Sequence, residues 1–582
     1  MLVPILALAL AARPAAADLV TTAEKTGFER TGRYEEAVRL CRDFERTWPR
    51  RARCFTYGTT PEGRELVALA ASADGVTRPL AARTQDRPVV LFQGGIHAAE
   101  IDGKDAGFVV LRDWLASADG GPLAKVTALF VPVVNPDGHE RFGPNHRPNQ
   151  RGPAESGWRT TAQNLNLNRD YAKADAPEMR ALLALLSEWD PIVYADLHVT
   201  DGAQFEHDVS VLVEPRVGYD PSLRAEGKAI SDALVARLEQ DGHLPVDFYP
   251  AFVDDGNPES GFARGVPSIR FGNGYWAARN RFGILLETHS WRPYAHRVKT
   301  TADFLRALLA LAAERGRAWT ALAARADRAA AGLGGKEVAL AAEPRRDAPP
   351  RTLRFRGYAY TREDSPALGR PVVRYDESRP QIWEIPLYEE VVPAASVVLP
   401  KGGWIVPAAW TSKVADRLRL HGIRFARIEA VRPDAEVEAF RATAARFAAG
   451  SFEGRQMLTV EGAWKRERRS VGAGALWIPV AQARALLAAQ LLEPAGPDSF
   501  LAWGDFNAAF EKKEYIEDYV VEPFARDLLA RDPAVRSAFE ARLADPAFAS
   551  DPKARLEFLH RLHPSWDEAY RLCPILRADA RP

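Results

Sequence analysis

Near-continuous apolar runs are the clearest pattern in this chain. Four of them, rich in Val, Ile and Leu, occupy residues 87–95, 126–134, 191–199 and 282–290. Strands buried on both faces have this pattern, whereas strands with one solvent face alternate between apolar and polar residues. Helical stretches at 103–117 and 176–189 lie between the runs. The pattern predicts an α/β fold, in which helices cover both faces of a mixed, mostly parallel sheet.

A change of pattern after residue 340 predicts a second domain. An Ala- and Arg-rich helical stretch over 299–332 is followed by a charged, Pro-rich, non-periodic segment at 341–352. Such a segment is typical of a linker. Residues 353–582 then mix strand-like and helical stretches. We therefore expect a larger α/β domain over 18–340 and a smaller C-terminal α+β domain over 353–582.

Composition and charge exclude several classes of protein. The 582 residues carry 77 basic and 77 acidic side chains, so the formal net charge is zero. This balance gives no electrostatic reason to expect a nucleic acid partner. No stretch reaches the roughly 18 apolar residues that a membrane span needs. Three cysteines are too few for a disulfide scaffold or a multi-cysteine zinc module.

The N-terminal residues suggest export. Residues 1–17 contain a short apolar run and end in Ala15-Ala16-Ala17, which is typical of a signal peptide cleavage site, although no basic residue precedes the run. An Ala-rich N-terminus without a targeting role is the alternative. We expect a periplasmic or extracellular protein. Cys41 and Cys54 would then be able to pair, or all three cysteines are buried free thiols.

Polar residues with metal chemistry follow the apolar runs. His97 and Glu100 come after the first run, His198 closes the third, and Glu287 closes the fourth. In open α/β sheets, ligands bind beyond the carboxyl ends of the strands, so these side chains should meet in one crevice. Two imidazoles and one carboxylate suit a catalytic zinc ion with an open water position. Glu287, at the end of an apolar strand, is the expected general base.

Two arginines add the means to bind a carboxylate. Asn168 and Arg169 lie in the segment NLNLNRDYAK, and Arg159 precedes Asn168 by nine residues. A planar guanidinium captures a carboxylate through two parallel hydrogen bonds.

Together these motifs resemble the M14 zinc carboxypeptidases over about residues 30–310. The matching segments, in chain order, are His97-x-x-Glu100, Trp158-Arg159, Asn168-Arg169, His198 and Glu287. The resemblance implies one Zn²⁺ per chain, bound by His97, Glu100 and His198. It also implies that Arg159 polarises the scissile carbonyl, that Asn168 and Arg169 hold the substrate's terminal carboxylate, and that Glu287 activates zinc-bound water.

The chain departs from the family pattern at three places. Ala98 and Ala99 stand where pancreatic-type members carry an Arg inside the His-x-x-Glu motif. Asn166 replaces the Asp that supports a ligand in those members, and an amide adds less basicity to an imidazole than a carboxylate does. Tyr275, our candidate for the substrate-capping Tyr, lies only twelve residues before Glu287.

The resemblance predicts an exported metallocarboxypeptidase that hydrolyses C-terminal peptide bonds of peptides or proteins. Two alternatives remain. The same scaffold serves deacylases and cell-wall peptide hydrolases, and the missing Arg near His97 is compatible with a different substrate. A binding protein without activity is the third possibility, although such a protein has no need for Glu287. The sequence assigns no role to residues 353–582.

Overall fold

The computed structural model describes residues 18–582, so the predicted signal peptide at 1–17 lies outside the described residues. The helices are α1 Thr22–Lys25, α2 Tyr34–Thr47, α3 Pro79–Thr84, α4 Asp102–Ala116, α5 Pro136–Glu140, α6 Pro177–Trp189, α7 Pro221–Gln240, α8 Gly272–Ala277, α9 Tyr294–Ala330, α10 Thr411–Leu420, α11 Ala485–Leu492, α12 Asp518–Arg531, α13 Pro533–Leu543, α14 Pro546–Ala549 and α15 Pro552–His560.

The strands are β1 Ala52–Thr59, β2 Glu65–Ala71, β3 Val89–Gln93, β4 Thr127–Val131, β5 Val193–Thr200, β6 Val209–Glu214, β7 Pro245–Val246, β8 Phe262–Ala263, β9 Phe282–His289, β10 Glu337–Pro344, β11 Arg351–Ser365, β12 Arg370–Tyr388, β13 Val391–Val398, β14 Gly403–Val406, β15 Ala426–Arg427, β16 Arg432–Phe447, β17 Leu458–Val471, β18 Leu476–Pro479 and β19 Leu572–Ala578.

The four predicted apolar runs form the centre of an eight-stranded sheet. Its order is β1-β2-β4-β3-β5-β9-β6-β7. The pairs β4–β3, β3–β5, β5–β9 and β6–β7 are parallel, while β1–β2, β2–β4 and β6–β9 are antiparallel. The mixed, mostly parallel sheet predicted from the sequence is therefore confirmed, and its antiparallel strands lie toward the edges.

Helices cover both faces of this sheet because successive strand residues point to opposite sides. In β3, Val90 and Phe92 pack with α4 and α9, whereas Leu91 packs with α6. Both faces of the strand are buried, which explains why β3 lacks polar alternation. Two cores result, one on each side of the sheet.

The C-terminal region carries the sheet-rich second domain. It contains a six-stranded sheet of order β15-β18-β14-β19-β16-β17, in which every pair is antiparallel. The long hairpin β11–β12 adds to β8 of the first region. The predicted linker over 341–352 is shorter in the structure, because β10 extends to residue 344 and β11 begins at residue 351.

The two regions share one hydrophobic core. The cluster that includes Trp276 of α8 and Leu182 of α6 also includes Leu487 of α11 and Trp404 of β14. All eight residues of α11 are buried. The C-terminal region is thus packed against the α/β region rather than tethered to it.

A disulfide joins Cys41 in α2 to Cys54 in β1, which settles the pairing that the sequence left open. The third cysteine, Cys573, is a buried free thiol. None of the described helices is long and apolar enough to cross a membrane.

Candidate active site

The site lies at the carboxyl ends of the central parallel strands. His198, near the end of β5, is the Cα partner of Glu287 in β9. His97 and Glu100 lie on the loop after β3, where a hydrogen bond from the Glu100 N–H to the His97 carbonyl closes a turn. Gly95 begins this loop with φ of +61°, a conformation that glycine adopts without strain. The loop between β3 and α4 thereby brings His97 and Glu100 next to β5, the strand that carries His198.

The side chains of His97, Glu100 and His198 converge in the interior of the protein. The Nδ1 atom of His97 lies 2.9 Å from Oε1 of Glu100, and Nδ1 of His198 lies 2.9 Å from Oε2. All three side chains are buried. Their ligand atoms lie within 4.8 Å of one another, as three ligands of a single ion must.

The outer nitrogens of both imidazoles face oxygen atoms. Nε2 of His97 lies 3.1 Å from Oδ1 of Asn166, and Nε2 of His198 lies 3.2 Å from Oδ2 of Asp196. Gln93 donates a hydrogen bond to the other Asp196 oxygen. With the ring protons on Nε2, both Nδ1 lone pairs point at the Glu100 carboxylate. A bound cation relieves that repulsion, so the residues fit a zinc ion.

Burial and neighbouring charges shift the pKa values of the three cluster residues in opposite directions. Burial alone raises the pKa of Glu100, but His97 and Arg147 outweigh it and hold that pKa well below its usual range. Burial lowers the pKa of His97 to about 4, which favours the neutral ligand form. For His198, the carboxylates of Asp196 and Glu100 outweigh burial and raise the pKa.

Glu287 is a buried carboxylate with an unused oxygen. Its side chain stands next to His198, and the residue is 7% exposed. Its Oε2 atom has no hydrogen-bond partner among the described residues. Burial is the largest cause of its raised pKa, about 8, and the charge of Glu100 adds to the shift. A carboxylate of raised basicity beside a metal cluster is suited to accept a proton.

Two arginines reach the cluster from loops. Nη1 of Arg159 lies 3.6 Å from Oε1 of Glu100, and 39% of its side chain is exposed. Nη2 of Arg147 lies closer to the same oxygen, at 2.9 Å, and also donates to the Val199 carbonyl. Arg147 thus supplies a guanidinium to the Glu100 carboxylate from its loop, although none lies inside the His-x-x-Glu motif.

Asn168 and Arg169 lie on a 3₁₀ turn over Leu167–Arg169. The Asn166 side chain accepts a hydrogen bond from the Asn168 N–H, so one amide supports both this turn and His97. The Arg169 guanidinium lies over the Phe271 ring at 4.6 Å. Among the described residues, no acidic side chain lies within ion-pair distance of Arg169. Burial and the nearby charge of Arg159 lower the pKa of Arg169.

Residues 37–239 match the sequence model of the zinc carboxypeptidase family, Peptidase_M14. This region belongs to the M14 zinc carboxypeptidases. The matched range contains His97, Glu100 and His198, and Glu287 follows it on β9. The protein is therefore a metallopeptidase, and its family uses zinc as cofactor.

Solved zinc carboxypeptidases resemble parts of the structure. A metallo-carboxypeptidase from Burkholderia cenocepacia is 18% identical, with a TM-score of 0.35 over 47% of this chain and 68% of its own. Carboxypeptidase A from Helicoverpa armigera is 16% identical, with a TM-score of 0.36 over 50% and 75%. A metallo-carboxypeptidase from Pseudomonas aeruginosa is 18% identical, with a TM-score of 0.35 over 48% and 69%. No curated protein matches the sequence.

The structure does not bring Tyr275, the predicted substrate-capping residue, to the candidate active site. Tyr275 lies in α8 and is fully buried between the sheet and the C-terminal region. Its hydroxyl lies 3.0 Å from Nδ1 of His421, and its ring packs on Tyr171. A side chain enclosed in this way has no route to a substrate, so the assignment of Tyr275 is corrected to a core residue.

Tyr249 is the tyrosine that lies at the site. Its hydroxyl accepts a hydrogen bond from Thr200, which ends the strand carrying His198. Burial raises its pKa, and the negative charge of Glu287 adds to the shift. The residue is 37% exposed. Its loop is non-periodic, so the sequence offered no spacing that would have singled it out.

The C-terminal region of the protein forms part of the wall of the site. Glu453 accepts a hydrogen bond of 2.8 Å from the backbone N–H of Asn166. Arg455, two residues later, pairs with Asp175 at 2.5 Å. The turn between β16 and β17 is thereby fixed against the segment that carries Asn168 and Arg169.

Proposed function

We propose that this metallocarboxypeptidase removes C-terminal residues from peptides or proteins, with Glu287 as general base. The observation that carries the proposal is the juxtaposition of Glu287, which has an unused buried oxygen, with the converging Nδ1 atoms of His97 and His198. A free carboxylate next to two metal-binding imidazoles is the arrangement that metal-assisted amide hydrolysis requires. Structural histidines have no need of a neighbouring free carboxylate.

The ligand set proposed for the cofactor is Nδ1 of His97, the Glu100 carboxylate and Nδ1 of His198. A zinc ion held there supplies Lewis-acid polarisation of the scissile carbonyl and lowers the pKa of water toward ~7. Asn166 and Asp196 fix the orientation of the two imidazole rings. Asn166 does so as a neutral amide, in place of the family's carboxylate.

Glu287 and Arg159 have complementary roles in the proposed reaction. The Glu287 carboxylate takes the proton from the attacking water and delivers it to the leaving amine, so that it ends the reaction ionised as it began. Arg159, partly exposed and 3.6 Å from Glu100, faces the position at which the carbonyl oxygen gains charge. Stabilisation of this kind is worth about 10²–10³ in rate.

Arg169 and Asn168 would fix the substrate's terminal carboxylate. The argument rests on Arg169, a guanidinium without a carboxylate partner among the described residues and held flat against Phe271. Burial of an unpaired cation is costly, and a substrate carboxylate supplies the missing charge. This arrangement would limit cleavage to the last peptide bond.

We also propose that the enzyme is exported to the periplasm or the extracellular space. The disulfide between Cys41 and Cys54 supports this location, because disulfides persist in oxidising compartments. The signal-like pattern of residues 1–17 points the same way.

The function is tested with one peptide in two forms, with a free and with an amidated C-terminus. We expect release of the C-terminal residue from the free form alone, and loss of that activity with a chelator. Restoration by zinc after the chelator is removed is the control. Equal cleavage of both forms would overturn the exopeptidase assignment and favour a deacylase or a cell-wall peptide hydrolase. No cleavage by the zinc-loaded protein would favour a binding role.

A further inference from the structure

A second group of metal-ligating side chains lies apart from the first. Asp208 precedes β6, His243 follows α7, and His296 lies in the first turn of α9. Their ligand atoms all lie within 4.8 Å of one another. None of these three residues belongs to the catalytic cluster, and the proposed reaction uses none of them.

Both imidazoles point at the same oxygen atom. Oδ2 of Asp208 lies 2.9 Å from Nδ1 of His243 and 2.8 Å from Nε2 of His296. The other oxygen of Asp208 accepts a hydrogen bond of 2.8 Å from the Leu244 N–H, which fixes the carboxylate plane. The Thr300 hydroxyl is also 3.3 Å from Nδ1 of His243. Three separate elements of the fold therefore converge on one point.

His243 has a carboxylate on each side of its ring. Its Nε2 lies 3.2 Å from Oδ2 of Asp303, whose charge is shared with Lys299 and Arg306. In the neutral tautomer with its proton on Nε2, that proton faces Asp303 and the Nδ1 lone pair faces Asp208. Metal-bound histidines commonly have this arrangement, with a carboxylate behind the ring. The catalytic cluster uses the same arrangement at His198 and Asp196.

The second cluster is open to ions and water on the side of His296. Asp208 and His243 are buried, whereas the His296 side chain is 40% exposed. An ion can therefore enter from the His296 side and keep water as a further ligand. Two imidazoles and one carboxylate suit zinc and its transition-metal neighbours better than Ca²⁺ or Mg²⁺, which prefer oxygen ligands.

We propose that Asp208, His243 and His296 bind a second divalent transition-metal ion, with zinc as the expected occupant. This ion would clamp the start of α9 to the edge of the sheet, where β6 pairs with β7 and β9. Its role would be structural, since the proposed reaction is complete without it. The proposal is independent of the function proposed for the catalytic site.

Zinc content of the full-length protein tests the second site. After saturation with zinc and removal of loose metal, we expect two equivalents in the wild type and one in His296→Ala. His97→Ala should also retain one equivalent, and the double variant none. His563→Ala, in the C-terminal region, is the matched control and should retain two. Because His296 is partly exposed, its removal should leave the fold intact.

Zinc affinity and thermal stability give a second measurement in the His97→Ala variant, in which only the second site, formed by Asp208, His243 and His296, is intact. Zinc should raise Tm in this background and should not raise it once His296→Ala is added. Asp303→Asn, which removes the carboxylate behind His243, should weaken zinc binding by about 10- to 100-fold without abolishing it. A His97→Ala protein that binds no zinc, or a His296→Ala variant that binds as much zinc as the wild type, would overturn the proposal and leave a hydrogen-bonded histidine cluster.

Discussion

His198 and Glu287 are direct partners across the parallel pairing of β5 and β9. Side chains of such partners emerge on the same face of a sheet, so the metal ligand and the proposed base have a fixed separation. Both strands are central in the sheet, because β5 lies between β3 and β9, and β9 lies between β5 and β6. The separation of His198 from Glu287 is therefore set by two central strands, whereas His97 and Glu100 reach the site from the loop after β3.

Replacement of Glu287 by Gln should remove catalysis and spare metal binding. The amide keeps the shape of the side chain but cannot accept the proton, so kcat should fall by about 10²- to 10⁴-fold. Elemental analysis should find the zinc content of the wild type, because Glu287 is not a ligand. A variant that retains activity, or one that loses zinc, would contradict the assigned role.

Replacement of Arg169 by Met should remove the preference for a free C-terminus. Met keeps the contact with Phe271 but offers no charge to a carboxylate, so KM for the free peptide should rise while zinc content stays constant. The ratio of kcat/KM between free and amidated peptides should fall toward one. Arg159→Met is the comparison, and it should lower kcat on both forms. A ratio unchanged in Arg169→Met would refute the anchoring role.

Much of the α/β region was predictable because burial on both faces leaves a local signature. The strands that begin at Val89 and Phe282 open with apolar runs, and the site residues come at or just beyond the ends of those runs. Tyr249 and Arg147 carry no such signature, since their loops reach the site only through tertiary packing. Tyr275 was misassigned because its spacing to Glu287 says nothing about which side of the sheet its short helix covers.

The C-terminal region was harder to predict for a different physical reason. The hairpin β11–β12 is largely exposed, so polar residues dominate its pattern. Strand β19 is fully buried but only seven residues long, so its pattern gives little signal. The contact between Glu453 and Asn166 joins residues 287 positions apart, which no local pattern reveals.

A chain truncated after residue 345 should not fold into a stable enzyme. Truncation removes α11, of whose eight buried residues seven belong to the core shared with α6 and α8. Exposed apolar surface of this extent favours aggregation. Soluble yield and circular dichroism should show a loss of folded protein relative to full length. A soluble, zinc-binding truncated chain would contradict the shared core.

Glu178, in the first turn of α6, should make stability fall between pH 5 and pH 8. Burial raises the pKa of Glu178 to about 7, and neither oxygen has a hydrogen-bond partner among the described residues. The folded protein thus holds a proton that the unfolded chain releases near pH 4.5. The contribution of this proton to the free energy of unfolding is complete below pH 4.5 and is lost as pH rises through 7.

Replacement of Glu178 by Gln should therefore flatten the pH dependence of stability. The loss between pH 5 and pH 8 should shrink by about 2 kcal/mol, because the amide does not titrate. Thermal unfolding at the two pH values measures the effect. Glu188→Gln, at an exposed position of the same helix, is the control and should follow the wild type. If Glu178→Gln lost as much stability between pH 5 and pH 8 as the wild type does, the Glu178 carboxyl would not be the source of that loss.

Thiol counting should reveal one free cysteine in the unfolded, unreduced protein and three after reduction. Cys573 is the free thiol, and Cys41 and Cys54 are joined. Replacement of both paired cysteines by Ser should lower the free energy of unfolding by about 3 kcal/mol, since the bond closes a short loop of the unfolded chain. Three thiols before reduction would contradict the bond.

The position of β19 has a consequence for biosynthesis. This strand, at Leu572–Ala578, separates β14 from β16 and pairs with both. Until it has emerged from the ribosome, the two halves of the sheet have no direct contact and each presents an open edge. A premature stop even a dozen codons upstream of residue 578 removes a central strand, and the pieces left behind are prone to pair with other chains.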